Sequence, residues 1–203
     1  MTSATVPPRS PTVGRALPPC PYVGLVPFSE DDAEFFFGRE NEAELIAANM
    51  VTARLTLLYA PSGVGKTSVL RADVVPRLHE IGRGDEDVGI RSAAVVYVSD
   101  WSGPPLQAVT EGIQRELLGL GDQIERPALR APFVPSLQGA LARSGVPAVY
   151  LILDQFEEYF LYHPVDEDLP RAIGDVLTTR GLNVHLLPVS YTHLRAHETK
   201  ANL

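Results

Sequence analysis

Apolar positions along the chain follow two rhythms. Short, nearly unbroken apolar runs occur at 55–59 ("LTLLY"), 93–99 ("AAVVYVS"), 148–154 ("AVYLILD") and 183–189 ("NVHLLPV"). Their length and β-branched content predict strands buried on both faces. Between them, apolar residues return every three or four positions. That spacing predicts helices over 67–78, through Leu106, Val109, Ile113 and Leu117, over 134–143, and through Leu169, Ile173 and Val176. Gly119 or Gly121, Gly145 and Gly181 stand where helices should stop, and Asp166 where the last should be capped. Nearer the start, Ser29 with Asp32 three residues on predicts a short helix over 30–36, ended by Gly38. A second is expected over 40–50, with Leu45 and Ile46 facing inward. Strands alternating with helices predict an α/β fold, a parallel sheet covered on both sides. Residues 1–20 are rich in Pro, Ser and Thr without a period and read as disordered.

Charge and composition narrow the function classes. The net charge of -8 argues against a broad nucleic-acid surface or docking on an anionic membrane. One cysteine, Cys20, rules out a disulfide framework and a cysteine metal site. No apolar run reaches membrane-spanning length and no signal-peptide core opens the chain, so a cytoplasmic protein is expected. Lys66 and Lys200 are the only lysines among 17 basic residues. An arginine bias of that kind removes lysines that arginine can replace, which marks Lys66 as one it cannot.

The chemistry explains why. Ala60, Pro61, Ser62, Gly63, Val64, Gly65, Lys66 and Thr67 ("APSGVGKT") fit a phosphate-binding P-loop with Ala in place of the first Gly, and Ser68 follows. A predicted strand precedes the motif and a predicted helix follows it. Gly63 and Gly65 allow the backbone to turn its N–H groups toward phosphate oxygens. The helix N-terminus adds its positive dipole end. Lys66 brings a compact charge on a flexible stem, where arginine would bring a planar fork. Thr67 offers a hydroxyl to Mg²⁺. A second motif, "VYLILDQFEEYF", ends an apolar strand in Asp154, which suits a Walker B aspartate on the Mg²⁺ side of ATP or ADP.

Three pieces then line up: "PYVGLVPFSEDDAEFFFGRE", "APSGVGKTS" and "LILDQFEEYF". Together they resemble the STAND NTPases (signal-transduction ATPases with numerous domains), in their bacterial novel-STAND branch, over 21–189. The resemblance implies a three-layer P-loop sandwich of the additional-strand, AAA+/STAND-like class. In it the last strand lies between the P-loop strand and the Walker B strand, with 93–99 beyond. A fifth strand would follow outside this chain, so that "LTLLY" becomes an exposed apolar edge. In that class a Glu often follows the Walker B Asp as catalytic base. Gln155 stands there, which moves the expected water-orienting role to Glu157, with Glu158 close behind. Phe37-Gly38-Arg39-Glu40 resembles the family's GRE motif, and Arg39 would be a polar contact near adenine and ribose. The family pattern implies a slow ATP-dependent switch. Exchange of ADP for ATP would drive self-oligomerisation and activate attached effector or sensor domains in signalling or defence.

The chain's end reads differently. "VSYTHLRAHET" in 189–203 resembles a translated sequencing adapter, so the expected NTPase segment is 21–188, incomplete at its C-terminus, with a non-native tail after it. His193 and His197 in that tail are not read as a metal pair. Competing readings are an AAA+-like DNA-handling ATPase, a P-loop small-molecule kinase and a nucleotide-gated scaffold that never hydrolyses. The acidic balance weighs against the first. The lack of an acceptor-binding lid weighs against the second, while Gln155 keeps the third open.

Overall fold

The computed structural model describes residues 26–84, 91–119 and 132–191. Four strands, β1 (Leu58–Ala60), β2 (Ala94–Val98), β3 (Val149–Leu153) and β4 (Val184–Tyr191), form one sheet. All neighbours are parallel, in the order β1-β4-β3-β2. This is the expected order, with the last strand inserted between the P-loop strand and the Walker B strand.

Both faces are covered, which is why the strands read as apolar runs rather than alternating ones. On one face Val96, Leu151, Leu153 and Leu186 pack under α4 (Pro105–Leu118), α5 (Phe133–Ser144) and α7 (Asp168–Thr178). On the other, Val95, Tyr150, Ile152 and Leu187 pack under α1 (Glu40–Thr52), α2 (Lys66–Val69), a π-helical stretch (Leu70–Val74) and α3 (Val75–Gly82). α2, the π-helical stretch and α3 follow one another without a break. A last helix, α6 (Phe156–Tyr162), follows β3.

Most predicted elements appear within a residue or two of their expected bounds. The segment over 30–36 is a 3₁₀ helix, Glu30–Phe35. Ser29 N–H donates to Asp32 Oδ2 at 2.9 Å, while Asp32 N–H returns to Ser29 O at 3.1 Å. The predicted strand over 55–59 pairs with β4 in two pieces. Leu55 bridges to Leu186, with Thr56 N–H donating to Leu186 O, before the ladder resumes in β1. Asp166 caps α7 as expected, accepting from the N–H groups of Asp168 and Leu169. One expectation is corrected. Leu45 lies 63% exposed, and the inward face of α1 is Ala43, Ala47 and Met50 with Ile46 beside them. Those residues recur at four and three positions, and the two alanines let the helix sit close to its neighbours. β4 runs to Tyr191, two residues past the predicted strand end at 189, with Val189, Ser190 and Tyr191 paired to β1.

Among the described residues β1 is paired on one side only, and Leu55, Leu57 and Tyr59 are exposed there. Unpaired edges with apolar side chains template self-association. Leu57→Lys should therefore lower self-association, read by light scattering, with little change in melting temperature. Gly82 is a site of close backbone approach. A Cβ there would meet Ala93 O at 2.8 Å, and Gly82 O accepts the N–H groups of Ser92 and Ala93 where the chain enters β2. Gly82→Ala should destabilise the fold by about 1–3 kcal/mol, measured by denaturant unfolding.

Candidate functional site

The C-terminal ends of β1, β3 and β4 open onto one cavity of about 370 Å³. Gly63, Gly65, Lys66, Thr67 and Ser68 line one side, and Asp154, Gln155 and Glu157 another. The loop between β1 and α2 turns through Gly63 at φ +78° and Gly65 at φ +80°, left-handed positions that glycine takes without strain. Lys66 Nζ donates to Ala60 O at 2.8 Å and Pro61 O at 3.0 Å, and it lies 4.2 Å from the centre of the Tyr191 ring. Partial burial pushes its pKa down, opposed by the carboxylates of Glu157 and Asp154. A phosphate oxygen reaching the loop would outcompete neutral carbonyls for this ammonium through its charge.

Asp154 is the anchor of the opposite wall. It is 1% exposed. Its Oδ2 accepts from Thr67 Oγ1 at 2.8 Å and from the Tyr97 hydroxyl, and its Oδ1 accepts from Gln155 N–H at 2.9 Å. Its backbone is held as well. Asp154 N–H donates to Val98 O at 2.8 Å, and the indole Nε1 of Trp101 donates to Asp154 O at 2.8 Å. Burial, with the adjacent Asp154 charge, pushes the Tyr97 phenol far above its usual pKa, so it stays a donor at any physiological pH.

Gln155 is the only non-glycine residue with positive φ among the described residues, at +52°. This turn starts α6 immediately after β3 and directs Glu157 back to the cavity. Both Glu157 carboxylate oxygens are buried there without a hydrogen-bond partner among the described residues. Glu158 is not part of the cavity lining. Arg39 reaches the P-loop from outside, donating through Nη1 to Val64 O at 2.9 Å and through Nε to Glu42 at 2.8 Å.

Several lining or bracing residues were not singled out in the sequence. Val26, Pro27 and Phe28 form an apolar wall, with Phe28 N–H donating to Ser68 Oγ at 3.3 Å and the Phe28 ring against Phe36. The stretch "PYVGLVPF" carried a resemblance without a role for these side chains. Tyr97 and Trp101 had weak signals. The first is the one polar side chain within β2, and the second is the chain's single tryptophan.

The model of the novel STAND NTPase 1 family matches residues 21–189. The chain belongs to this family. Among solved structures, the STAND segment is similar to the ORC2 protein of Aeropyrum pernix in its ADPNP–ADP complexes. That match has 22% identity and a TM-score of 0.57, over 77% of this chain and 42% of that one. It is also similar to a Walker-type ATPase of Pyrococcus abyssi, with 14% identity and a TM-score of 0.53, over 82% and 48%. At these identities the likeness shows the fold, that of P-loop ATPases. The STAND chain spans under half the length of either structure. No curated protein matches it. Among the described residues no helix is long and apolar enough to cross a membrane.

Trp101→Phe in this STAND domain would leave the buried Asp154 carbonyl without its donor. The expected cost is about 1–3 kcal/mol, seen as a lowered melting temperature.

Proposed function

We propose that this STAND NTPase binds ATP and ADP with Mg²⁺ at the P-loop cavity and hydrolyses ATP slowly, as the switch module of a cytoplasmic signalling or defence ATPase. The observation that carries the reading is the 2.8 Å hydrogen bond from Thr67 to Asp154. It joins two motifs that lie 87 residues apart in the chain on one cavity that also holds Lys66. Lys66 would meet the β- and γ-phosphates, and the backbone around Gly63, Gly65 and Ser68 would cradle them. Mg²⁺ fits the donor set. Thr67 and Asp154 offer only hard oxygen atoms, and among the described residues no cluster of three or more His, Cys, Asp or Glu side chains could hold an ion without help. Such a site suits a cation that completes its shell with phosphate and water. When bound, the ion would neutralise phosphate charge.

Glu157 supports slow hydrolysis. Its two buried carboxylate oxygens have unused acceptor capacity beside the cavity, and a small shift of the side chain toward the opening would let them accept from a water molecule, the act that orients a nucleophile. Arg39 braces the Val64 carbonyl and thereby the shape of the loop. Contact with the ribose side is a further proposal for its guanidinium. Self-oligomerisation in the ATP state and coupling to effector or sensor domains rest on the family pattern alone. A second reading, a nucleotide-gated scaffold without hydrolysis, draws on Gln155, an amide in the position next to the buried aspartate.

Calorimetry with Mg-ATP should find binding abolished in Lys66→Ala. Lys66→Arg should weaken it by about 1.5–3 kcal/mol, tenfold to a hundredfold. Equal affinity in wild type and Lys66→Ala would end the P-loop reading. Glu157→Gln should retain binding and slow phosphate release by about a hundredfold or more, while Glu158→Gln stays near wild type. Wild-type turnover in Glu157→Gln would remove Glu157 from the mechanism, and no turnover in the wild type would favour the scaffold.

A further inference from the structure

We infer that Tyr97 is a positioning residue for the metal-side carboxylate, setting the direction of Asp154 from the sheet before nucleotide arrives. The inference rests on the reading of Asp154 as the Mg²⁺-side aspartate and adds a residue that the P-loop motifs do not contain.

Tyr97 is the fourth residue of β2 and is in register with Ile152 of β3. Alternation along the strands places Val95, Tyr97, Tyr150 and Ile152 on the face covered by α1 and α3. Asp154, two residues beyond Ile152, continues that face. A diagonal neighbour two residues along the next strand lies within reach of a long aromatic side chain. The Tyr97 hydroxyl accordingly donates to Asp154 Oδ2. The other four residues of β2 are Ala or Val, so the core alone asks only for an aliphatic side chain at this position. On its other side the ring faces the Arg71 guanidinium, 5.9 Å away on the π-helical stretch after the P-loop.

Two hydroxyls therefore converge on one carboxylate oxygen, and they differ in origin. Thr67 belongs to the phosphate loop, and its oxygen is the one a metal would take up. Tyr97 belongs to the sheet and has no such duty. With Tyr97 and the Gln155 N–H in place, the carboxylate keeps its orientation whatever the loop does. Removal of the phenolic hydroxyl leaves Oδ2 with Thr67 as its single donor. The Gln155 N–H still holds Oδ1, but Oδ2 can then swing with the loop, and ordering it falls to the metal.

The test is calorimetry of ADP and a non-hydrolysable ATP analogue on the full chain, in EDTA and across a MgCl₂ titration. The variants are Tyr97→Phe and, as a control, Tyr150→Phe. Tyr150 is a buried tyrosine on the same sheet face with no hydrogen bond to Asp154. Tyr97→Phe keeps the ring, so folding is checked by its melting temperature and circular dichroism. The expected result is a MgCl₂ midpoint raised about tenfold to a hundredfold in Tyr97→Phe, with affinity in EDTA unchanged. Tyr150→Phe should match wild type in both. A wild-type MgCl₂ midpoint in Tyr97→Phe would overturn the inference. So would an equal loss of affinity with and without Mg²⁺, because it would mark the phenol as packing only. Wild-type protein that binds no nucleotide would instead overturn the P-loop reading beneath it.

Discussion

The structure around the cavity depends on satisfying one buried carboxylate. Asp154 is 1% exposed, and a charge so removed from water is costly unless donors surround it. The carboxylate's donors come from three places: Thr67 at the start of α2, Tyr97 on β2, and the Gln155 backbone at the start of α6, while Trp101 after β2 holds the Asp154 backbone carbonyl. Each contact holds only if β2, β3 and the P-loop stand in the observed register. The hydrogen bonds thus tie the local geometry of the site to the order of the sheet.

That order places the phosphate loop and the acidic wall across one opening. β4 lies between β1 and β3, so the ends of the P-loop strand and the Walker B strand are separated by one strand width. The gap between them is the cavity, with Lys66 on one bank and Asp154 and Glu157 on the other. A left-handed residue at Gln155 makes the turn into α6 abrupt. Such strained positions persist where surrounding contacts over-determine them. Here the Trp101 indole on the preceding carbonyl and its packing against Phe156 and Tyr159 provide those contacts.

The aromatic cluster behind Asp154 extends this support outward. Trp101, Phe156, Tyr159, Phe160 and His163 form a chain of ring contacts from the buried aspartate along α6. His163 Nε2 donates to the Trp101 carbonyl at 2.7 Å, and Tyr159 donates to Asp166 Oδ2 at 3.0 Å, where α7 is capped. The backbone that carries the carboxylate is therefore tied to α6 and to the start of α7.

The sequence by itself determined the elements and the motif chemistry, because these depend on local spacing. Gly63 and Gly65 mark left-handed turns, Lys66 stands out in a chain whose basic residues are nearly all arginine, and Asp154 ends an apolar run. Each reads within a few neighbours. The strand order was legible through a family resemblance, not through periodicity, which cannot say which strands pair. Other features belonged to the tertiary structure alone. Glu157 and Glu158 are adjacent acids in the sequence, and the Gln155 turn decides which one faces the cavity. Leu45 looks like a core residue until Ala43, Ala47 and Met50 take the inward face of α1. Tyr97 becomes a partner of Asp154 only through the register of β2 on β3. Contacts between residues far apart in the chain are set by how whole elements pack, and no local pattern carries that information.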